Sequence, residues 1–185
     1  VRLFLAIVPD ELRESLSRWM PRDGDLLPGA RWQPAENLHV TLRFLGEVAD
    51  PDVARLGGPV AAAAAAHRRL RLALDGPAAL PERKRARVAC LGVRPDPRLG
   101  ALRDAVAAAA ESTLGLEPDP RPFRPHLTLA RVKRPWTAAA SDAWRALSFP
   151  YRGAAFEVTY VDLMESLSSP TGARYRTLER FPLAP

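Results

Sequence analysis

A chain of 185 residues is long enough to bury a real core as one domain or as two small lobes, and its 47% apolar share is that of an ordinary globular protein. One cysteine excludes an internal disulfide, and no apolar run approaches the roughly 20 residues of a membrane-spanning helix, which together point to a reducing, cytoplasmic setting without membrane contact. The net charge of +6 is carried by arginine, whose forked guanidinium suits a phosphate-rich partner.

Residues 2–8 read as a strand. That short apolar run stops at Pro9-Asp10-Glu11, so it does not read as a signal peptide, and a helix with Leu12, Leu16 and Trp19 on one face follows through about Met20. A Pro/Gly/Asp-rich loop covers about 21–30, and Trp32 begins an extended piece. Leu38 to Leu45 is a strand ended by Gly46-Glu47. Asp50-Pro51-Asp52 starts a helix that runs to about His67 with an interruption at Gly57-Gly58-Pro59. Leu70–Leu74 is a short strand, 77–85 a loop ending in Arg83-Lys84-Arg85, 87–93 a strand and 97–114 an Ala-rich helix. Four prolines make 117–125 a loop. Residues 127–132 form a strand, 137–147 a helix with Trp144 on its apolar face, 154–164 one long strand, and 175–178 a last short one. Mixed strands and helices without βαβ alternation predict an α+β fold.

Two segments say nearly the same thing: His39-Val40-Thr41-Leu42 and His126-Leu127-Thr128-Leu129. The chain has three histidines and only seven threonines, so composition does not explain the repeat. In a strand, i and i+2 share a face, so each motif offers His and Thr on one face and two apolar residues on the other. We expect two pseudo-symmetric lobes facing a central cleft, within a single domain spanning 1–185. There two imidazoles act as acid and base while two hydroxyls hold phosphate oxygens. His67, at a helix end beside Arg68 and Arg69, reads as structural or solvated. Cys90, in Val88-Ala89-Cys90-Leu91, reads as packing. The histidines and cysteine show no metal-ligand spacing, so no metal or cofactor is expected.

The two motifs resemble those of the 2H phosphoesterase superfamily, and within it the bacterial and archaeal RNA 2′,3′-cyclic phosphodiesterases, also described as 2′-5′ RNA ligases. The resemblance covers nearly the whole chain, through RLFLAI, RWQPAENLHVTLRFLGEV, RVACLGV, FRPHLTLARV and SLSSPTGARYRTLERFPL. It implies a bilobal fold with a mainly antiparallel sheet and flanking helices in each lobe. It also implies hydrolysis of 2′,3′-cyclic phosphate RNA ends to 2′-phosphomonoesters, with reversible 2′-5′ ligation. In that scheme His39 is the proton donor to the 3′ oxygen, His126 the base that activates water, and Thr41 and Thr128 the phosphate holders. The sequence departs from the family at Cys90, where an aromatic residue is common, and over 76–85.

Arg131, in LTLAR, matches a family arginine and is expected to help hold the phosphate. Arg43, at i+4 from His39, is expected to share the catalytic face if the strand stays regular. Arg83, Lys84, Arg85 and Arg87 could follow an RNA backbone but read first as solvated. Phe4 and Phe44 read first as core, and Tyr175 as a cleft residue. The expected partner is RNA with a cyclic phosphate end, tRNA fragments being one source, acted on by a monomer. Two readings compete: a cyclic phosphodiesterase of small nucleotides, and a noncatalytic RNA-end-binding module.

Overall fold

The computed structural model describes residues 1–20, 27–81, 85–170 and 172–185. In chain order the elements are β1 (Arg2–Ile7), a 3-10 turn (Asp10–Leu12), α1 (Arg13–Trp19), β2 (Arg31–Trp32), a second 3-10 turn (Ala35–Asn37), β3 (Val40–Glu47), α2 (Asp50–Ala65), β4 (Leu70–Leu80), β5 (Val88–Val93), α3 (Pro97–Leu114), β6 (His126–Arg131), α4 (Ala138–Arg145), β7 (Ala155–Val158), β8 (Tyr160–Ser169) and β9 (Gly172–Pro182). This is an α+β fold built on an antiparallel sheet, as the unpatterned alternation of elements predicts.

The strands lie in the order β7-β4-β5-β6-β3-β1-β8-β9, with β2 added beside β6. Two quartets, β7-β4-β5-β6 and β3-β1-β8-β9, meet at one residue pair, Val40 with Leu127. They are not the two halves of the chain: β8 and β9 return from the C-terminal region to complete the quartet begun by β1 and β3. The two Ala-rich helices, α2 and α3, pack on each other, α2 also touching β9 and α3 touching β3.

β1 shows how the faces are divided. Leu3, Leu5 and Ile7 enter the main core with Leu56, Val60, Leu102 and Val106 of the helices. Phe4 and Ala6, pointing the other way, form a small second cluster with Met164. Each fully buried Leu or Ile contributes about 1.5–3 kcal/mol. The helix-facing side therefore holds the fold together, and the opposite side is left for a site.

Four expectations need correction. α2 is not interrupted: Pro59 lies inside it on an exposed face, where the carbonyl it orphans meets water, and Gly57 lets Glu179 of β9 approach to 2.8 Å from the place a Cβ would take. β4 extends to Leu80 through the segment read as loop, because its pairing with β5 is irregular between Leu74 and Pro77, which admits a proline. The long strand at 154–164 is two strands. β7 pairs β4 while β8 pairs β1 and β9, with only Thr159 between them, so a sheet with these two near opposite ends of its order must curl. The last strand covers 172–182, well beyond 175–178. By contrast α3 begins and ends where predicted. Asp96 accepts from the Arg98 backbone N–H, Pro97 sits at the first position, and Gly115 closes the helix at φ 66°. Arg83 and Lys84 lie outside the described residues, and Arg85 and Arg87 are exposed.

Candidate active site

Both histidines stand at the entry to their strands, His39 one residue ahead of β3 and His126 at the first position of β6. Antiparallel indices run in opposite directions, so the Val40–Leu127 pair sets Thr41 beside His126 and His39 beside Thr128. The pattern predicted from i and i+2 spacing is thus brought together across the seam of the two quartets. Thr41 and His126 line one cleft of about 540 Å³.

The rings are held in the same way. His39 Nδ1 donates to the Asn37 carbonyl at 2.6 Å, and His126 Nδ1 donates to the Arg124 carbonyl at 2.7 Å. A carbonyl can only accept, so Nδ1 keeps its hydrogen in both charge states and Nε2 is the atom that exchanges a proton. His39 Nε2 lies 3.1 Å from Thr41 Oγ1, which donates to it while the ring is neutral.

The supports of these carbonyls were invisible in the side-chain pattern. Asn37 is buried, its Nδ2 donating to Gln33 Oε1 at 3.1 Å and to the Ala173 carbonyl at 2.8 Å. It ties the turn before His39 to β9, and no motif announces a residue whose functional atom is its backbone oxygen. Phe4 lies under His39 with ring centroids 4.9 Å apart, and Tyr175 meets His39 edge-on at 5.0 Å. Tyr175 therefore does line the site. Phe4 is buried as expected, but on the site face. Phe44 is 47% exposed, contrary to the expectation of core packing, and tilts against Phe4 at 5.9 Å.

The arginines separate by register. Between Cys90–Thr128 and Ala89–Ala130 the pairing of β5 and β6 skips Leu129, an extra residue that leaves Leu129 and Ala130 both in the core. Arg131 then falls on the face of His126 and Thr128, although its odd spacing would aim it away in a regular strand. It depresses the pKa of both histidines. β3 has the opposite outcome. Its pairing with β1 skips Leu42, between Ala6–Thr41 and Leu5–Arg43, so Arg43 shares the helix-facing side and Phe44 takes the site face. The expectation that Arg43 faces the catalytic pair is corrected accordingly. Its Nε donates to Glu111 of α3 at 2.6 Å, its Nη2 to the Glu117 carbonyl at 2.7 Å, and Asp119 lies 3.8 Å away. Arg43 borders the cleft but anchors the proline-rich segment that leads to His126.

Burial holds His39 down at about 4, the Asn37 carbonyl opposing the shift and Arg131, His126 and Arg13 adding to it. Burial also lowers His126, against the pull of the Arg124 carbonyl and with Arg131 again adding to the effect. Both rings are therefore neutral at pH 7 in the empty site. A single anion arriving between them favours the charged form of either. Burial pushes the Cys90 thiol up to about 12, and its Sγ donates to the Ala78 carbonyl at 3.3 Å, in keeping with packing rather than nucleophilic chemistry. Among the described residues no group of three or more His, Cys, Asp or Glu gathers to hold a metal, and no helix is long and apolar enough to cross a membrane.

A second cleft of about 560 Å³ lies on the side of Tyr175 and is lined by Arg31, Gln33, Arg131, Lys133 and Arg134. The site is thus a pair of Nε2 atoms with two hydroxyls and one arginine on their face, flanked by two grooves. That arrangement can move protons on two sides of a bound phosphate.

A family model described as the 2′-5′ RNA ligase superfamily matches residues 8–170. The RNA 2′,3′-cyclic phosphodiesterase of Geobacillus stearothermophilus is 35% identical over 182 residues, covering 97% of this chain and 56% of that protein, so this chain spans little more than half of that relative. The protein of the same description from Escherichia coli (strain K12) is 34% identical over 190 residues, covering 98% of this chain and 96% of the other. The structure of E. coli LigT complexed with 3′-AMP superposes with a TM-score of 0.72 at 32% identity, over 98% of this chain and 97% of that one.

Proposed function

Because the chain belongs to the 2′-5′ RNA ligase superfamily, we propose that its two imidazoles open 2′,3′-cyclic phosphate ends of RNA to 2′-phosphomonoesters. The observation that carries this reading is the matched pair of carbonyl bonds, 2.6 and 2.7 Å, that leave each Nε2 as the proton-exchanging atom. His126 Nε2 takes a proton from water as the water oxygen bonds to phosphorus. His39, protonated at Nε2, gives its proton to the departing 3′ oxygen. Each step of this kind is worth about 10²–10⁴ in rate. The Thr41 and Thr128 hydroxyls donate to the two non-bridging oxygens, and Arg131 balances the charge that develops there. The assignment of acid to His39 and base to His126 follows the family resemblance, since the geometry of the two rings is nearly symmetric. No resident metal takes part in this scheme.

The domain is read as two lobes, each contributing one H-x-T-L motif, acting as a cytoplasmic monomer on RNA ends such as those of tRNA fragments. With the 5′-hydroxyl of a second RNA in place of water and the two rings in the same roles, the same steps join that end to the cyclic phosphate, and cleavage of the resulting 2′-5′ bond is the direction in which the roles exchange. The test is product identification. A short RNA with a 2′,3′-cyclic phosphate end, treated with the protein in EDTA, should yield the 2′-phosphate. A 3′-phosphate product, or activity that EDTA abolishes and a divalent metal restores, would overturn the proposal.

A further inference from the structure

The two imidazoles make the same carbonyl bonds but sit among different neighbours. Phe4 of β1 lies under His39 with its ring centre 4.9 Å away and its plane tilted by 37°, nearer to stacking than to an edge-on approach. Register puts it there: β1 sets Phe4 beside Phe44 of β3 and Met164 of β8. Phe44 at 5.9 Å and Tyr175 at 5.1 Å pack against the Phe4 ring, which is 2% exposed. His126 has no such support. Its neighbour on β5 is Gly92, which has no side chain, and it borders a hollow of about 240 Å³ lined by Cys90, Gly92 and Ala78. Among the described residues no aromatic ring stacks on His126.

The face of an aromatic ring is negative and attracts a cation within about 6 Å of its centre, most strongly where water is excluded. The charged groups that act on His39, namely Arg131 and His126 of β6 and Arg13 of α1, all oppose a positive charge on it. Of its other neighbours, the Asn37 carbonyl has its counterpart in the Arg124 carbonyl at His126, Thr41 offers a neutral hydroxyl, and Tyr175 of β9 meets the ring edge-on. The π face beneath His39 is thus the favourable contact that His126 lacks. We infer that Phe4 is a positioning residue for the proton of the reaction: its face carries the charge of protonated His39, and this selects His39 over His126 as the donor. The inference rests on the two-imidazole reading of the proposed function. A neutral imidazole gains little from the same face, so Phe4 acts once an anionic substrate has favoured the charged form. His39 Nε2 then gives its proton to the departing 3′ oxygen and the ring returns to neutral.

The test changes the charge of the face and keeps its shape. Phe4 is replaced by difluorophenylalanine and by pentafluorophenylalanine; fluorine drains electron density from the ring face, and in the second case reverses its sign. With saturating 2′-AMP bound, the titration midpoint of His39 in nitrogen-detected NMR should fall stepwise, by about one pH unit with the pentafluoro ring, while that of His126 stays in place. The rate of 2′-phosphate formation at pH 8 should fall in the same order, up to about tenfold. Phe4→Leu keeps the apolar packing, lacks the face, and should shift His39 in the same direction. A His39 midpoint that is the same in all these chains overturns the inference even where the rate has fallen, because packing alone would then explain the loss. A shift shared equally by His126 overturns it too. If the natural chain forms no 2′-phosphate, the proposed function falls, and this inference with it.

Discussion

The acid of the proposed reaction must carry a proton, yet His39 is held at about 4 while the site is empty. The account therefore requires the substrate to load it. An anion hydrogen-bonded to Nε2 places its charge about 5 Å from the ring, and at an effective dielectric of about 20 one unit charge is worth about 3 kcal/mol, or about 2.4 pKa units. Phosphate or a 2′-nucleotide in the site should thus raise His39 from about 4 to above 6. The assay is nitrogen-detected NMR of the three imidazoles across pH 3–9, with and without saturating 2′-AMP, assigned by His67→Gln and His126→Gln. The same spectra should show hydrogen on Nδ1 of His39 throughout, as its 2.6 Å bond to the Asn37 carbonyl requires. A His39 that still titrates near 4 with ligand bound could not be the proton donor at neutral pH, and the reasoning would fail.

Further outcomes follow from the same contacts. Because the folded pKa of His39 lies below that of the unfolded chain, the unfolded state binds more protons between about pH 4 and 6.5. Stability should fall by about 3 kcal/mol as pH drops through that window, and urea denaturation of the wild type and His39→Gln should show the difference, the variant lacking that slope. Arg43→Met strands the Glu111 carboxylate and frees the Glu117 carbonyl. It should cost about 3 kcal/mol in denaturation and lower kcat more than it raises KM, since the loosened segment carries the Arg124 carbonyl that aims His126. Trp144→Phe leaves the Ala78 carbonyl with only the Cys90 thiol at 3.3 Å in place of its 2.8 Å indole donor and should cost about 1 kcal/mol, which a denaturant midpoint will show; no change would mean that the thiol or water replaces the indole.

Much of the site was legible because the chemistry is written in side chains at strand spacing. His39 with Thr41, and His126 with Thr128, could each be placed on one strand face from period two, and α3 could be bounded at 97–114. The failures have a common origin in register. One extra residue at Leu42 turns Arg43 away, so parity counted along the chain misjudges it, whereas one at Leu129 turns Arg131 toward the histidines, a placement that the resemblance suggested and parity alone would have missed. The split between β7 and β8 is hidden for a related reason. The apolar run continues through Thr159 while the pairing partners change, and periodicity records burial, not partners. Asn37 and Arg124 act through backbone oxygens, which every residue possesses.

The central claim is that the two rings work as one unit on one phosphate. The direct test is the rate of 2′-phosphate formation by His39→Ala, His126→Ala and the double variant, with circular dichroism to show that each is folded. The account predicts that either single substitution lowers the rate by at least about 10²-fold and that the double variant is no worse than the slower single one. Full activity in either single variant, or losses that multiply in the double, would contradict it.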